Sequence, residues 1–108
     1  MREKLKVIYC DIDGILTEGE DCWTEEQVRN AKPNLENIKI LNELDKYHHI
    51  VIWSARRREL IPATLDWLDK WGVKRQAYSD KKPAADIYID NRMKDLKELW
   101  KKSIHSQK

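Results

Sequence analysis

Several features are scarce in this chain of 108 residues, and each of them excludes certain kinds of protein. Phenylalanine is absent, and the two cysteines, Cys10 and Cys22, form neither a CxxC pair nor a dense disulfide framework. No apolar stretch is long enough to cross a bilayer, and the N-terminus has no signal-peptide core. We therefore expect a cytoplasmic protein in a reducing compartment, with no membrane partner.

A large excess of one charge is also missing. Lysine and arginine number 21 against 19 acidic residues, so the net charge is only +2 although 37% of the residues are charged. The two signs are mixed along the chain, which argues against a nucleic-acid partner. The length fits one domain over residues 1–108, with one modest core and little chain left for a cap domain.

Apolar patterning predicts strands that alternate with helices. Strands are expected at about residues 5–10, 50–53, 76–79 and 86–89. One helix opens at Pro33-Asn34 and is expected to bury Leu35, Ile38, Leu41 and Leu44, with Ile40 at the edge of that face. Two more helices are expected over about 58–71 and 93–102, and the stretch 17–32 reads as a long polar loop without apolar periodicity.

The helix expected over about 58–71 has a residue at each end that indicates where it starts or stops. Its apolar stripe is expected to comprise Ile61, Leu65, Leu68 and Trp71. Proline is tolerated in a first helical turn, so the helix starts either near residue 58 or at Pro62. Gly72 is expected to end it.

This order of elements predicts a single Rossmann-like α/β/α domain with a parallel sheet and no cap domain. Right-handed crossovers leave few topologies. We expect the strand order to be about 3-2-1-4, which would place the first and fourth strands side by side. Their carboxyl ends carry Asp11 and Asp90. Ligands of open parallel sheets bind at such a switch point, so we expect the two carboxylates to converge there.

Polar side chains follow every predicted strand, and together they suit metal-assisted phosphoryl transfer. They are Asp11, Asp13, Ser54, Lys81, Lys82, Asp90 and Asn91. Mg²⁺ prefers oxygen ligands and keeps several waters, so one or two carboxylates can anchor it. A hydroxyl and an ammonium group can neutralise charge on a phosphoryl group, and a second carboxylate can move the proton.

Three segments resemble the haloacid dehalogenase superfamily of phosphohydrolases, and in particular its small capless members. They are DIDGILT at 11–17, IVIWSAR at 50–56 and KKPAADIYIDNR at 81–92. The resemblance implies a Mg²⁺-dependent phosphatase that hydrolyses small phosphomonoesters, such as sugar phosphates or nucleotide-like compounds, through an aspartyl-phosphate intermediate.

The resemblance also implies a role for each matching residue. Asp11 matches the nucleophile and a metal ligand. Asp13 matches the general acid/base, and its backbone carbonyl is a further metal ligand. Ser54 matches the second-motif hydroxyl, Lys82 is favoured over its neighbour Lys81 as the third-motif lysine, and Asp90 matches the last metal ligand.

Further residues are expected near the substrate. Arg56 and Lys81 could reach its anionic group, and Asn91, where close relatives often have a second acid, could hold a metal-bound water. Trp23 is expected to close over the site if the 17–32 loop acts as a flap. Because an open site on so small a domain needs cover, a homo-oligomer is also expected.

Alternative readings of these motifs remain. A calcium loop fails because Ile15 occupies a ligand position and Cys22 stands where a bidentate Glu is needed. A phospho-receiver domain would need Asp80 as the acceptor, and Lys81 then follows too early. A non-catalytic phosphate- or partner-binding module on the same fold stays open. The histidines His48, His49 and His105 form no metal pattern and are expected at the surface.

Overall fold

A four-stranded parallel sheet with the order β3-β2-β1-β4 organises the protein, as the sequence predicts. The computed structural model describes residues 6–19, 24–81 and 87–89. The strands are β1 (Val7–Asp11), β2 (His49–Trp53), β3 (Ala77–Ser79) and β4 (Ile87–Ile89). The fold is a small Rossmann-like α/β domain, and the predicted strand order is confirmed.

The two central strands, β1 and β2, consist largely of apolar residues and are buried beneath the helices and between neighbouring strands. Ile8, Cys10, Ile50 and Ile52 are fully buried. In β2 three consecutive residues are buried, which is typical of a parallel strand covered on both faces. β1 pairs with β2 along its whole length, and Asp11 lies opposite Trp53 in this register.

Helix α2 (Leu35–Asp45) confirms the predicted helix, but one residue of its apolar face is placed differently. Asn34 caps its N-terminus by accepting a hydrogen bond from the Asn37 amide. Ile38, Leu41 and Leu44 are buried as expected. Leu35 is 61% exposed, so its predicted burial is wrong; it is the first helical residue, where the chain has only just entered the helix.

Helix α3 (Ile61–Lys70) follows a 3₁₀ turn over Arg58–Leu60 and has Pro62 in its first turn, close to the later of the two predicted starts. Its C-terminus is a Schellman motif. Gly72 adopts a φ of 67° and donates to the Asp69 carbonyl, while the Val73 amide donates to the Leu68 carbonyl. Gly72 therefore ends the helix as predicted.

The buried face of α3 differs from the predicted stripe. Ala63, Thr64, Trp67 and Leu68 are the buried residues, whereas Leu65 and Trp71 are only partly buried. The reason is that α3 packs against a further helix as well as the sheet, and Ala63 joins Val28 and Leu60 in a separate apolar cluster. This face is therefore rotated toward a neighbour that the apolar periodicity of α3 alone does not indicate.

That neighbour is helix α1 (Glu25–Arg29), so the prediction of a polar loop without helical structure over 17–32 is wrong. Thr24 and Gln27 form a capping box, in which each side chain accepts from the other residue's backbone amide. Val28 is fully buried. One buried valine and one capping box are sufficient here because α3 supplies the apolar surface on which this short helix packs.

Two other sequence expectations have different outcomes. His48 is 3% exposed, so the prediction that it lies at the surface is wrong. It directly precedes β2 and is buried because it lies next to this central strand. The predicted helix over 93–102 lies outside the described residues. Within the described ranges no helix is long and apolar enough to cross a membrane.

Candidate active site

The candidate site forms where the central strands end. Because Asp11 pairs with Trp53 and Trp53 pairs with Ser79, the residues that follow β1, β2 and β3 leave the sheet at one edge. The Ser54 amide also donates to the Ser79 carbonyl over 3.2 Å. The structure thus brings Asp11, Asp13 and Ser54 to the same end of the sheet, where parallel folds bind ligands.

A tight turn after β1 fixes the two carboxylates. The carbonyl of Ile12 accepts three hydrogen bonds, from the amides of Ile15, Leu16 and Thr17, at 2.8–3.2 Å. Gly14 adopts a φ of 82°, a left-handed conformation that suits glycine. Its amide donates to the Thr17 hydroxyl over 3.2 Å. The turn is therefore held by its own backbone.

Apolar residues anchor this turn in the core. Ile12 and Leu16 are fully buried, and Ile15 is 5% exposed. Asp11 and Asp13 alternate with them and are only partly buried. Ile15 therefore belongs to the core rather than to the site. The Asp11 carboxylate accepts the Ile12 amide over 2.7 Å, which orients it at the strand end.

Asp13 is held by Arg56 in a two-pronged ion pair. The Arg56 Nη2 atom lies 2.7 Å from one Asp13 carboxylate oxygen, and Nε lies 3.3 Å from the other. The Arg56 side chain is 4% exposed and that of Asp13 is 13% exposed. A forked pair of this kind fixes the plane of the carboxylate as well as its distance.

The third guanidinium nitrogen of Arg56 reaches helix α3. Nη1 donates to the Thr64 hydroxyl over 2.9 Å, and that hydroxyl donates to the Leu60 carbonyl over 2.8 Å. All three nitrogens of Arg56 are thus engaged within the protein. The predicted contact of Arg56 with a substrate anion stays a prediction, but this geometry favours a role toward Asp13.

Ser54 is buried beside these groups. Its hydroxyl oxygen accepts the Arg56 backbone amide over 3.2 Å, and Ser54 is 1% exposed. Tyr78 of β3 lies nearby. Burial raises the pKa of the Tyr78 phenol, and the neighbouring Ser54 side chain and the charge of Arg56 lower this pKa in part. The phenol therefore stays protonated at neutral pH and adds a second neutral hydroxyl to this part of the site.

Of the other residues predicted for the site, the structure describes only Lys81. Lys81 follows β3 in a turn closed by the Ser79 hydroxyl, which accepts the Lys81 amide over 3.1 Å, and its side chain is exposed. Lys82, Asp90, Asn91 and Trp23 lie outside the described residues. β4 does lie beside β1, with Ile89 opposite Cys10, so the predicted neighbourhood of these two strands is confirmed.

The donors of the site can be compared with the needs of Mg²⁺. Asp11 offers a strand-end carboxylate of the kind that this ion prefers. Each carboxylate oxygen of Asp13 accepts one hydrogen bond from Arg56 and keeps a lone pair that can accept a proton. The backbone carbonyl of Asp13 is the predicted metal ligand of this residue. Among residues 6–19, 24–81 and 87–89, no three or more His, Cys, Asp and Glu residues lie close enough together to hold a metal ion by themselves.

The segment expected to act as a flap is anchored at both ends. The Glu18 backbone amide donates to the Lys32 carbonyl over 2.9 Å, and the Asn34 backbone amide donates to the Leu16 carbonyl over 2.7 Å. Farther out, the Trp67 indole of α3 donates to the Ala31 carbonyl over 2.9 Å. These contacts hold the described ends of the segment against the rest of the protein. The predicted closure of Trp23 over the site stays a prediction.

Two residues of the site escape sequence-based reasoning. Thr64 is a buried threonine on a helix, and nothing in its neighbours indicates a partner on another element. Tyr78 lies in a weakly patterned strand. By contrast, the capping box at Thr24 and Gln27 was readable, because Thr-x-x-Gln before a helical stretch is a known start signal.

Comparison with models of protein families and with curated protein sequences gave no match. Two solved structures are similar in fold: a "Structure of Pnkp1/Rnl/Hen1 complex" and a "Structure of the Pnkp1/Rnl/Hen1 RNA repair complex". The TM-scores are 0.58 and 0.59, with 16% sequence identity in both cases. The similar regions cover 94% and 99% of this chain but only 34% of the other chain. At this identity the likeness supports the fold alone.

Proposed function

We propose that the protein is a Mg²⁺-dependent phosphatase that hydrolyses phosphomonoesters through an aspartyl-phosphate on Asp11. What supports the proposal most is one juxtaposition: Asp11 and Asp13 leave the central strand β1 beside the buried hydroxyl of Ser54, with the Asp13 carboxylate fixed by Arg56. Nucleophile, proton carrier and hydroxyl donor thus share one edge of the sheet.

The residues divide the reaction into two steps. A carboxylate oxygen of Asp11 attacks phosphorus, the bond from phosphorus to the leaving oxygen breaks, and Asp13 gives its proton to that oxygen. A water then attacks the phosphorus, Asp13 takes the proton of this water, and the bond to Asp11 breaks. Inorganic phosphate leaves, and both carboxylates return to their starting states.

Charge has to be neutralised throughout, because the phosphoryl oxygens repel an anionic nucleophile. Ser54, which accepts from the Arg56 amide, can turn its own proton toward a phosphoryl oxygen. A lysine after β3, Lys82 or Lys81, would add positive charge. Mg²⁺, held by Asp11, Asp90 and the Asp13 backbone carbonyl, would supply the remaining charge neutralisation.

The substrate class is part of the proposal. Small phosphomonoesters such as sugar phosphates are our first choice, because they are the substrates that the resemblance of the segments at 11–17, 50–56 and 81–92 implies. One of the two similar structures is described as an RNA repair complex, so a short RNA with a terminal phosphate belongs in the same panel of substrates. We further propose a cytoplasmic location and closure of the site by a second copy of the chain.

The deciding experiment is hydrolysis of p-nitrophenyl phosphate with and without Mg²⁺, for the wild type and Asp11→Asn. We expect metal-dependent turnover that falls by at least about 10³-fold in Asp11→Asn, since loss of a nucleophile removes a whole pathway. Asp66→Asn, which alters an exposed carboxylate on α3, serves as the matched control and should keep wild-type activity. Turnover that ignores Mg²⁺ or survives in Asp11→Asn would overturn the proposal, and a lack of any turnover would favour the binding module.

A further inference from the structure

A buried hydrogen-bond chain joins helix α3 to the candidate site, and the proposed reaction does not yet use it. The chain runs from the Leu60 carbonyl through the Thr64 hydroxyl and the Arg56 guanidinium to the Asp13 carboxylate. Its four groups come from the 3₁₀ turn, α3, the β2–α3 connection and the turn after β1. No step of phosphoryl transfer requires Arg56 or Thr64 to touch the phosphate.

We infer that Arg56 and Thr64 are positioning residues, which hold the Asp13 carboxylate in the orientation needed for proton transfer to and from the leaving oxygen and water. The inference rests on the proposed phosphatase function. It concerns how the acid/base is aimed, and it assigns the buried arginine to the protein's own carboxylate.

The geometry of the ion pair between Arg56 and Asp13 restricts how the Asp13 carboxylate can rotate. A carboxylate on a short side chain can rotate about two bonds, and a single hydrogen bond leaves much of that freedom. The fork of Arg56 engages both oxygens, at 2.7 and 3.3 Å, and thereby fixes the carboxylate plane. Such alignment matters because small displacements of a catalytic group can reduce rates by about 10²-fold.

Thr64 holds the guanidinium from the side opposite Asp13. Arg56 Nη1 donates to the Thr64 hydroxyl over 2.9 Å, and this hydroxyl donates in turn to the Leu60 carbonyl over 2.8 Å. Thr64 is fully buried, so this contact has a fixed position on α3. Thr64 therefore keeps the guanidinium in the place from which its other two nitrogens reach both carboxylate oxygens of Asp13.

The same arginine also connects the two functional side chains. Its backbone amide donates to the Ser54 hydroxyl, while its side chain holds Asp13. A displacement of Arg56 would consequently move both Asp13, the proposed acid/base, and Ser54, the proposed hydrogen-bond donor to the phosphoryl group. A surface arginine without these contacts would have no such effect on catalysis.

The test compares two substrates whose leaving groups differ in how much they need a proton from the general acid. An alkyl phosphate has a poor leaving group and needs a proton from Asp13, whereas p-nitrophenolate leaves readily without one. The quantity measured is kcat/KM, which reports the steps up to loss of the leaving group. For Arg56→Lys, which keeps the charge but loses the fork, we expect kcat/KM on glycerol 2-phosphate to fall about 10²-fold and on p-nitrophenyl phosphate less than about 5-fold.

Thr64→Val keeps the shape of the side chain and removes its hydroxyl. We expect a fall of about 3–10-fold on the alkyl phosphate and almost none on the aryl phosphate, because Arg56 loses one of three contacts. Thr64→Ser should restore wild-type kinetics. This pair of variants keeps the inference testable if Arg56→Lys unfolds, since breaking a buried ion pair is destabilising.

A double-mutant cycle separates positioning from general damage. Arg56→Lys should cost almost nothing further in an Asp13→Asn background, since there is no longer an acid to aim. Arg75→Lys is the matched control: Arg75 also pairs with an aspartate, Asp69, at 2.9 Å and is 17% exposed, but it has no link to Asp13. It should leave both substrates unaffected.

Each outcome decides one question. Equal losses on both substrates, additive effects with Asp13→Asn, or full activity of Arg56→Lys and Thr64→Val would overturn the positioning role. Failure of the phosphatase proposal appears differently, as a wild type without Mg²⁺-dependent turnover or an Asp11→Asn variant with wild-type turnover. The selective loss on the alkyl phosphate would support both.

Discussion

The Cys10 thiol shows how the environment of a single residue sets a measurable pH dependence. Cys10 is fully buried in β1, between Ile52 and Ile89 on the adjacent strands. Burial, and secondarily the Asp11 carboxylate, raise the pKa of this thiol far above its usual value. The folded protein therefore keeps the thiol neutral at pH values where an unfolded chain would lose the proton.

This difference predicts a loss of stability at alkaline pH. In the unfolded chain the thiol ionises near pH 8.5, so above that pH the unfolded state binds fewer protons than the folded state, and the free energy of unfolding falls by about 1.4 kcal/mol per pH unit. The contribution is fully present below pH 8.5. Denaturant unfolding of Cys22→Ser between pH 8 and 10 should show this slope, and Cys10→Ala in the same background should lack it. An identical slope in both variants would contradict a raised thiol pKa.

At the residue scale, the sequence predicted positions better than partners. Asp11, Asp13 and Ser54 were placed correctly at the sheet edge because a residue that directly follows a buried strand has little choice of location. The pairing of Arg56 with Asp13 was not predicted. A long side chain reaches many partners, and which one it meets depends on packing between segments 43 residues apart.

At the scale of elements, two leucines of α2 offer a matched test of the core. Leu41 is fully buried, whereas Leu35 on the same helix is 61% exposed. Leu41→Ala removes buried methyl groups and leaves a cavity, so it should lower the free energy of unfolding by about 2–5 kcal/mol. Leu35→Ala should change it by less than about 0.5 kcal/mol, since little surface returns to water.

Thermal or denaturant unfolding measures both substitutions under the same conditions. The expected difference between them is large enough to separate on a chain of this size, where about 1 kcal/mol moves the midpoint by several degrees. Similar losses for the two variants would mean that Leu35 is buried in solution. In that case a surface of the protein, for example one between two copies, would cover it.

Elements with strong apolar periodicity were the ones the sequence predicted well. α2, β1 and β2 carry enough buried residues for their pattern to be read without a neighbour. α1 has five residues and one buried side chain, so its stability comes from its contact with α3, which no local pattern reveals. The rotated buried face of α3 has the same cause.

At the scale of the whole molecule, topology explains why the chemistry-bearing residues meet. Parallel strands joined by right-handed crossovers all end at one edge, and the order β3-β2-β1-β4 places β1 between two neighbours. Residues distant in sequence, such as Asp13 and Arg56, thereby become adjacent. This rule left few strand orders to consider, and the predicted one is observed. The packing of α1 onto α3 depended on tertiary contacts that the sequence pattern does not indicate.

The two structures of similar fold belong to longer chains than this one. This chain matches about a third of their length, so a unit of this size can form part of a larger chain. Whether the site works alone is therefore a question for the isolated protein. The claim that Asp11 is phosphorylated during turnover is central to our account.

Reductive capture tests this claim most directly. Borohydride reduces an aspartyl-phosphate to homoserine, so the protein is mixed with p-nitrophenyl phosphate and Mg²⁺, quenched with borohydride and analysed by peptide mass spectrometry. We predict homoserine at position 11 only when substrate is present, and at no position in Asp11→Asn. Homoserine at Asp13 or elsewhere, or an unmodified Asp11 during active turnover, would contradict the account.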